Sequence, residues 1–251
     1  MSTTTQPGSA TAAPQGAAAP AHVDAWHARY RPIYVYQWPV RFGHWVAMFS
    51  IVILVVTGLY IAKPYAGTGD VGGEHLLTSY MRFAHYLAAT LLVTTALLRV
   101  YWLFAGNKWE RFPALFPVRK RDLKNLLKVG KAYITMKPDT APKYIGHHPL
   151  QQLSYTGIYV LAAVEVATGF ALYGLVNPGG FFDSVFGWMG TLLSWQWLRL
   201  IHHAVLWVFV IFIPLHVYLA VRAAIIDREG AVSSILSGEK FIRVDERYED
   251  E

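Results

Sequence analysis

The chain has 251 residues and a formal net charge of +6, with 54% of its residues hydrophobic and only 15% charged. A soluble domain carries about 25% charged residues. Here the charge is missing from four long apolar stretches, which excludes one large soluble core and reads as membrane spans joined by loops. There is no cysteine, which excludes a cysteine-ligated iron–sulfur cluster or zinc site, a disulfide framework and haem attached through C-x-x-C-H.

Residues 1–30 read as a disordered tail, dominated at first by Thr, Ala, Pro, Gln, Gly and Ser. It has neither a basic n-region nor a continuous apolar h-region, so it is not a secretory signal. Residues 31–243 form one transmembrane domain with spans at about 39–62, 80–104, 153–175 and 197–226, and 244–251 is an acidic C-terminal tail. About 20 residues at ~1.5 Å rise suffice to cross ~30 Å of hydrocarbon. Asn177-Pro178-Gly179-Gly180 separates the third span from the fourth. The expected fold is all-α, an integral membrane four-helix bundle.

Orientation follows from the basic residues. The loop 106–147 carries ten of them, at 108, 111, 119, 120, 121, 124, 128, 131, 137 and 143, against Glu110, Asp122 and Asp139. The loop 63–79 has only Lys63, and 176–196 has no Lys or Arg. The positive-inside rule therefore puts 106–147 and both termini in the cytoplasm. The net positive charge thus serves membrane orientation, not nucleic acid. Trp38, Trp45, Trp102, Trp195 and Trp197 crowd the span ends as an interfacial belt. Within 118–136, Leu123, Leu126, Leu127 and Ile134 recur at helical spacing among Lys and Arg, the pattern of a basic amphipathic helix on the inner leaflet. The apolar segment 181–195 suits the outer interface or a partner.

Ionisable side chains inside spans are costly and mark function. His202 and His216 both lie on the fourth span, separated by close to four full helical turns. At ~100° per residue they fall within ~40° of one face and ~21 Å apart along the axis, whereas His203 points ~140° away from His216. The first span starts inside and the second and fourth start outside. Depth then pairs His85 with His202 near the outer surface and His44 with His216 near the inner one. Two bis-histidine pairs stacked across a bilayer suit two b-type haems with no open iron position, which favours electron transfer over oxygen chemistry. Gly58 follows His44 at the same near-four-turn spacing, and would let a porphyrin approach the backbone at the other haem's depth. Arg99 stands in the same relation to His85 and would meet a propionate of the inner haem, and Arg82 and Arg199 are candidates for the outer propionates or for snorkelling. Glu165 is expected to pair with an arginine in preference to relaying protons, and Pro214 to kink the fourth helix and free a carbonyl near the inner site. His147 and His148 read as capping or surface residues, and His22, His27 and His75 receive no role.

PVRFGHWV in the first span, MRFAHYLA in the second, YIGHHPL at the entrance to the third, IHHAVLWVFVIFIPLHVYLAVRAAI in the fourth and VSSILSGEKF after it resemble the b-type cytochrome subunit of membrane-bound nickel–iron hydrogenases. The resemblance covers residues from about 33 to 243. It places the family's haem histidines on His44, His85, His202 and His216. It also implies electron flow from the iron–sulfur clusters of a periplasmic hydrogenase small subunit to haem and then to the quinone of a bacterial inner-membrane respiratory chain. The large subunit would activate hydrogen, which this chain would not do itself. One departure is visible: the entrance motif, GHNP in the family, has His148 in place of Asn. Three other readings stay open, namely the same module serving a formate dehydrogenase or thiosulfate reductase, a free-standing cytochrome b561, and a haem-free anchor or transporter. The charge asymmetry makes a direct prediction: a compartment reporter fused after Gly130 should report cytoplasm and one fused at Gly180 periplasm, and the opposite pattern would invert the two depths.

Overall fold

Backbone amides in hydrocarbon have no water to bond, so a long apolar segment closes its own hydrogen bonds as a helix, even where it is rich in β-branched residues. The computed structural model of the chain describes residues 29–64, 74–135, 137, 140–226 and 228–251. Residues 1–28 of the expected N-terminal tail, with His22 and His27, lie outside the described residues. After a short strand, β1 (Tyr30–Tyr34), come α1 (Trp38–Ala62), α2 (Glu74–Ala105), α3 (Phe112–Leu115), α4 (Lys120–Ile134) and α5 (Pro149–Val176). Then follow α6 (Phe181–Phe186), α7 (Trp188–Leu193), α8 (Trp195–Ile226), α9 (Ala231–Ser237) and β2 (Glu239–Arg243). The four helices α1, α2, α5 and α8 are long and apolar enough to cross a membrane, and the chain is an all-α membrane bundle.

Local chemistry sets the helix ends. Pro39 sits at the start of α1, where its missing N–H costs nothing. His148 caps α5: its Nδ1 accepts from the Gln151 N–H at 3.2 Å, while the Gln151 side chain accepts from the His148 N–H at 3.1 Å. That cap starts α5 at Pro149, ahead of the apolar window. The helix α8 runs unbroken from Trp195 to Ile226 through Pro214, whose ring nitrogen leaves the Val210 carbonyl without its helical donor.

α1 packs chiefly on α2, and α5 chiefly on α8. The outward faces are apolar and uncovered, with Phe49, Val52, Leu97, Phe104 and Ile211 all exposed. Water would penalise such a surface, so it is matched to lipid. The few residues buried between helices include small hydroxyls, Ser50, Thr57 and Thr168.

On the side where the chain enters α1 and leaves α8, the two ends are tied together. β1 pairs antiparallel with β2, from Tyr30 opposite Arg243 to Tyr34 opposite Glu239. Gly238, at φ +92°, accepts from the Val35 and Tyr36 amides at 2.8 and 3.0 Å, and a Cβ there would run into the Tyr36 carbonyl. Val35, Trp109, Ile145, Ile242 and Tyr248 form a small apolar core beneath this ribbon. The acidic segment 244–251 folds back into it. Asp250 accepts from the Ile145 and Gly146 amides at 2.7 and 2.9 Å, and Tyr248 Oη donates to Glu229 at 3.0 Å.

Under this cap lies a buried polar cluster. Glu110 accepts from the Gln37 amide at 2.7 Å and from Trp102 Nε1 at 3.1 Å. Burial raises its carboxyl pKa, and these hydrogen bonds with the Arg99 charge oppose the rise. Tyr36 Oη lies 3.3 Å from His147 Nε2, and the Tyr155 ring meets His147 edge-on at 4.7 Å. His147 is therefore buried, not at the surface as its loop position suggested. Burial, and then the charges of Lys240, Arg99 and His148, push its pKa down to about 3, while burial pushes Tyr36 up to about 12. A histidine held neutral in the folded state binds its proton sooner when unfolded, near pH ~6.5, so its stabilisation is complete above that pH and is lost as pH falls toward about 3. His148, pushed down to about 4 by burial and Lys240, adds to the same slope. The melting temperature of the detergent-solubilised chain should therefore drop between about pH 7 and about pH 5, and drop less in His147→Gln. Equal slopes in the two proteins would contradict this role for His147.

Candidate functional site

Of the four histidines singled out by spacing, His44 and His216 meet directly, and His85 and His202 stand on helices that come side by side where Gly58 meets Leu206. Near the capped side, His44 of α1 faces His216 of α8 with ring centroids 6.5 Å apart and planes inclined at 51°. Two metal–imidazole bonds of ~2 Å each, plus the two ring radii, require roughly 6 Å between centroids. The separation of the two rings is therefore of the size that one metal atom between them requires. Phe212 stacks on His216 at 5.6 Å, and Trp45 meets His44 edge-on at 5.6 Å. Both imidazoles are exposed at the margin of the bundle. Beside lipid that would leave polar nitrogens unsatisfied, a cost that a ligand seated between them removes.

On the far side each ring is held by a neighbouring helix, and the same device occurs twice. Thr57 of α1 donates its hydroxyl hydrogen to the Ile53 carbonyl one turn back, at 2.6 Å. With that hydrogen spent, the oxygen accepts from His85 Nδ1–H of α2 at 2.9 Å. Thr168 of α5 repeats the arrangement, donating to the Val164 carbonyl at 2.8 Å and accepting from His202 Nδ1–H of α8 at 3.0 Å. In each case Nδ1 carries the proton and Nε2 keeps its lone pair, the tautomer that a metal-ligating histidine needs.

A glycine follows each threonine. A Cβ on Gly58 would lie 3.4 Å from His85 Cε1, and one on Gly169 would lie 3.3 Å from His202 Cε1. These glycines admit the imidazoles against the helix backbone. At Gly58, where a porphyrin was expected to approach, a histidine ring fills the space beside the backbone. The same Cβ would lie 3.5 Å from Leu206 of α8, one turn beyond His202, which sets His85 and His202 on facing helices.

Glu165 does not find an arginine. Its Oε1 lies 3.4 Å from His202 Nδ1, and its Oε2 is buried with no hydrogen-bond partner among the described residues. The expectation failed because helix-by-helix arithmetic carries no information about which neighbour a side chain meets. Arg99 donates through both terminal nitrogens to the Glu110 carbonyl, at 3.3 and 3.2 Å, in the polar cluster under the cap. Arg82 and Arg199 are exposed. His203 turns its Nδ1–H onto the Arg199 carbonyl of its own helix at 2.7 Å.

Spacing did not single out Thr57, Thr168 and Gly169. Their signal was present as a Thr-Gly dipeptide within both the first and the third span. Both residue types are poor helix formers, and neither is needed for hydrophobicity.

Among the described residues no group of three or more His, Cys, Asp or Glu could hold a metal ion. Two imidazoles per site, each with one free nitrogen, suit a metal whose remaining ligands are already supplied by a macrocycle. Haem meets that requirement.

Comparison with known proteins agrees. Residues 35–238 match the family model described as prokaryotic cytochrome b561. The chain is 39% identical over 217 residues to a "Probable Ni/Fe-hydrogenase B-type cytochrome subunit" of Azotobacter vinelandii, covering 85% of this chain and 90% of that one. It is 37% identical over 219 residues to the protein of that name from Bradyrhizobium diazoefficiens, covering 84% and 87%. Against a "Probable Ni/Fe-hydrogenase 1 B-type cytochrome subunit" of Escherichia coli K12 it is 28% identical over 216 residues, covering 82% and 89%. The chain belongs to the prokaryotic cytochrome b561 family and is a membrane protein of the b-type haem class.

Proposed function

We propose that this chain is the membrane subunit of a hydrogen:quinone oxidoreductase. It anchors a periplasmic nickel–iron hydrogenase, with its iron–sulfur small subunit and its large subunit, in the bacterial inner membrane and passes the electrons to quinone. The relatives' names support the hydrogenase, and the basic loop 106–147 supports cytoplasmic termini. The observation that carries the reading is the repeated threonine–histidine bond. A hydrogen-bonded Nδ1 raises the basicity of Nε2 and fixes its direction, and the protein builds this device on both sides of one site.

In this reading His85 and His202 would hold an outer haem, and His44 and His216 an inner one. Haem held there would supply one-electron oxidation and reduction. His202 and His216 share one helix face ~21 Å apart, which puts the two sites near opposite membrane surfaces. The short helices α6 and α7 at the outer end expose Phe181, Trp188 and Leu192, an apolar platform of the kind a partner subunit covers.

Quinone meets the chain at the inner end. There Tyr36, His147, Tyr155 and Arg99 gather beside the cap, and His147 Nδ1 is buried without a hydrogen-bond partner among the described residues. A quinone needs hydrogen-bonding groups and a proton source, which an apolar span alone does not provide.

Two mutant pairs test the assignment. His202→Ala should remove one of two b-type haems from the reduced-minus-oxidised spectrum, while His203→Ala keeps both. Thr168→Val should weaken haem retention by roughly 10–100-fold without removing a ligand. In membranes under hydrogen, His216→Ala should stop quinone reduction yet leave the outer haem reducible, and His85→Ala should block reduction of both. Normal quinone reduction in His216→Ala would move the quinone site to the outer face. Loss of a haem in His203→Ala but not in His202→Ala would overturn the ligand choice.

A further inference from the structure

The helix α4 is inside out by the standards of a soluble surface helix. Its protein-facing side carries Asp122, Asn125, Val129 and Ala132, all buried. On that face Asn125 Nδ2 donates to Tyr144 Oη at 2.9 Å and Tyr144 Oη donates to Asp122 Oδ1 at 3.4 Å, while Asp122 Oδ2 is buried with no hydrogen-bond partner among the described residues. The outward side carries the large apolar residues. Leu123 is 52% exposed, Leu127 79% and Ile134 85%. At ~100° per residue these three fall within ~40° of one another on the helix. On one flank of them, each within ~100° of the nearest, stand Lys120, Lys124, Lys128 and Lys131, all exposed. No acidic residue shares that arc, because Asp122 is turned to the buried side.

The position of the helix decides what meets this face. α4 follows the end of α2 and packs against α5. The preceding α3 is tied to the first turn of α5 through Gln152 Nε2, which donates to the Ala114 carbonyl at 3.3 Å. α4 therefore lies at the level where α2 leaves the hydrocarbon and α5 enters it. An apolar stripe edged by lysines at that level matches a bilayer boundary, with alkyl side chains among the upper acyl segments and ammonium groups among phosphates.

We infer that α4 is a lipid-binding helix whose outward face, Leu123, Leu127 and Ile134 with Lys120, Lys124, Lys128 and Lys131, engages the anionic headgroup surface of the membrane that holds the bundle. This goes beyond the electron-transfer reading and does not depend on it. The helix clamps the loop between α2 and α5 to the bilayer, and with it the polar cluster that α5 and the cap share.

The chain has no cysteine, so single labels can be placed without background. The full-length protein carrying Leu127→Cys, labelled with an environment-sensitive fluorophore, is placed in nanodiscs of phosphatidylcholine alone or with phosphatidylglycerol added. The same label on Glu239→Cys, an exposed position on β2, serves as the control. Quenching by doxyl-labelled lipid should be several-fold stronger at 127 than at 239 in the anionic discs. It should fall to the phosphatidylcholine level when Lys120, Lys124, Lys128 and Lys131 are all changed to Gln. Iodide quenching at 127 as strong as at 239 in every disc would mean a solvated face and overturn the inference. Shielding of 127 from both quenchers would mean a protein cover, such as a second copy of the chain, and would also overturn it. Equal lipid quenching in neutral and anionic discs would overturn the assignment to anionic headgroups.

Discussion

An imidazole inside a bilayer must have both ring nitrogens accounted for, because hydrocarbon offers neither donors nor acceptors. The site architecture of this protein is a set of answers to that constraint. At His85 and His202 each Nδ1–H goes to a threonine whose own hydrogen is bound to its helix backbone, which leaves one nitrogen per ring for a metal. At the inner pair the two rings face each other at a separation one metal atom spans. His203 shows the alternative outcome: its Nδ1–H folds back to its own helix, and the ring is not directed at a partner.

The two pairs are not equivalent. The outer one is buttressed by a threonine and a glycine on each side, with Glu165 against His202. The inner one is framed by Phe212 and Trp45 and lies toward the cap, where buried Tyr36, His147 and Glu110 concentrate polar groups. An internally bonded site at one end and a polar, partly unsatisfied cluster at the other are what the proposed function would use, with electrons entering at the first and protons met near the second.

Much of this was legible in the sequence, for physical reasons. Helices were forced wherever apolar residues ran long enough, since nothing else satisfies a backbone in lipid. The meeting of His44 with His216 followed from counting helical turns along α8 and from the alternating direction of the spans. What escaped depended on contacts between elements. α5 begins at Pro149 because His148 caps it, a bond invisible to a hydropathy window. The β1–β2 ribbon joins short segments from opposite ends of the described chain, too brief to announce themselves in a local pattern. Glu165 shares a helix with no histidine, so its meeting with His202 could not be read from either span. Arg99, expected at a propionate, sends its long side chain past the helix end to the Glu110 carbonyl.

The central claim is that one polypeptide holds two bis-histidine haems. The most direct measurement is the haem content of the purified chain, by pyridine haemochrome against quantitative amino-acid analysis, joined to a potentiometric titration of its b-type bands. The account predicts two haems per chain, titrating as two one-electron components, both low-spin. One haem per chain in fully loaded protein, or a high-spin component with an open iron position, would contradict it.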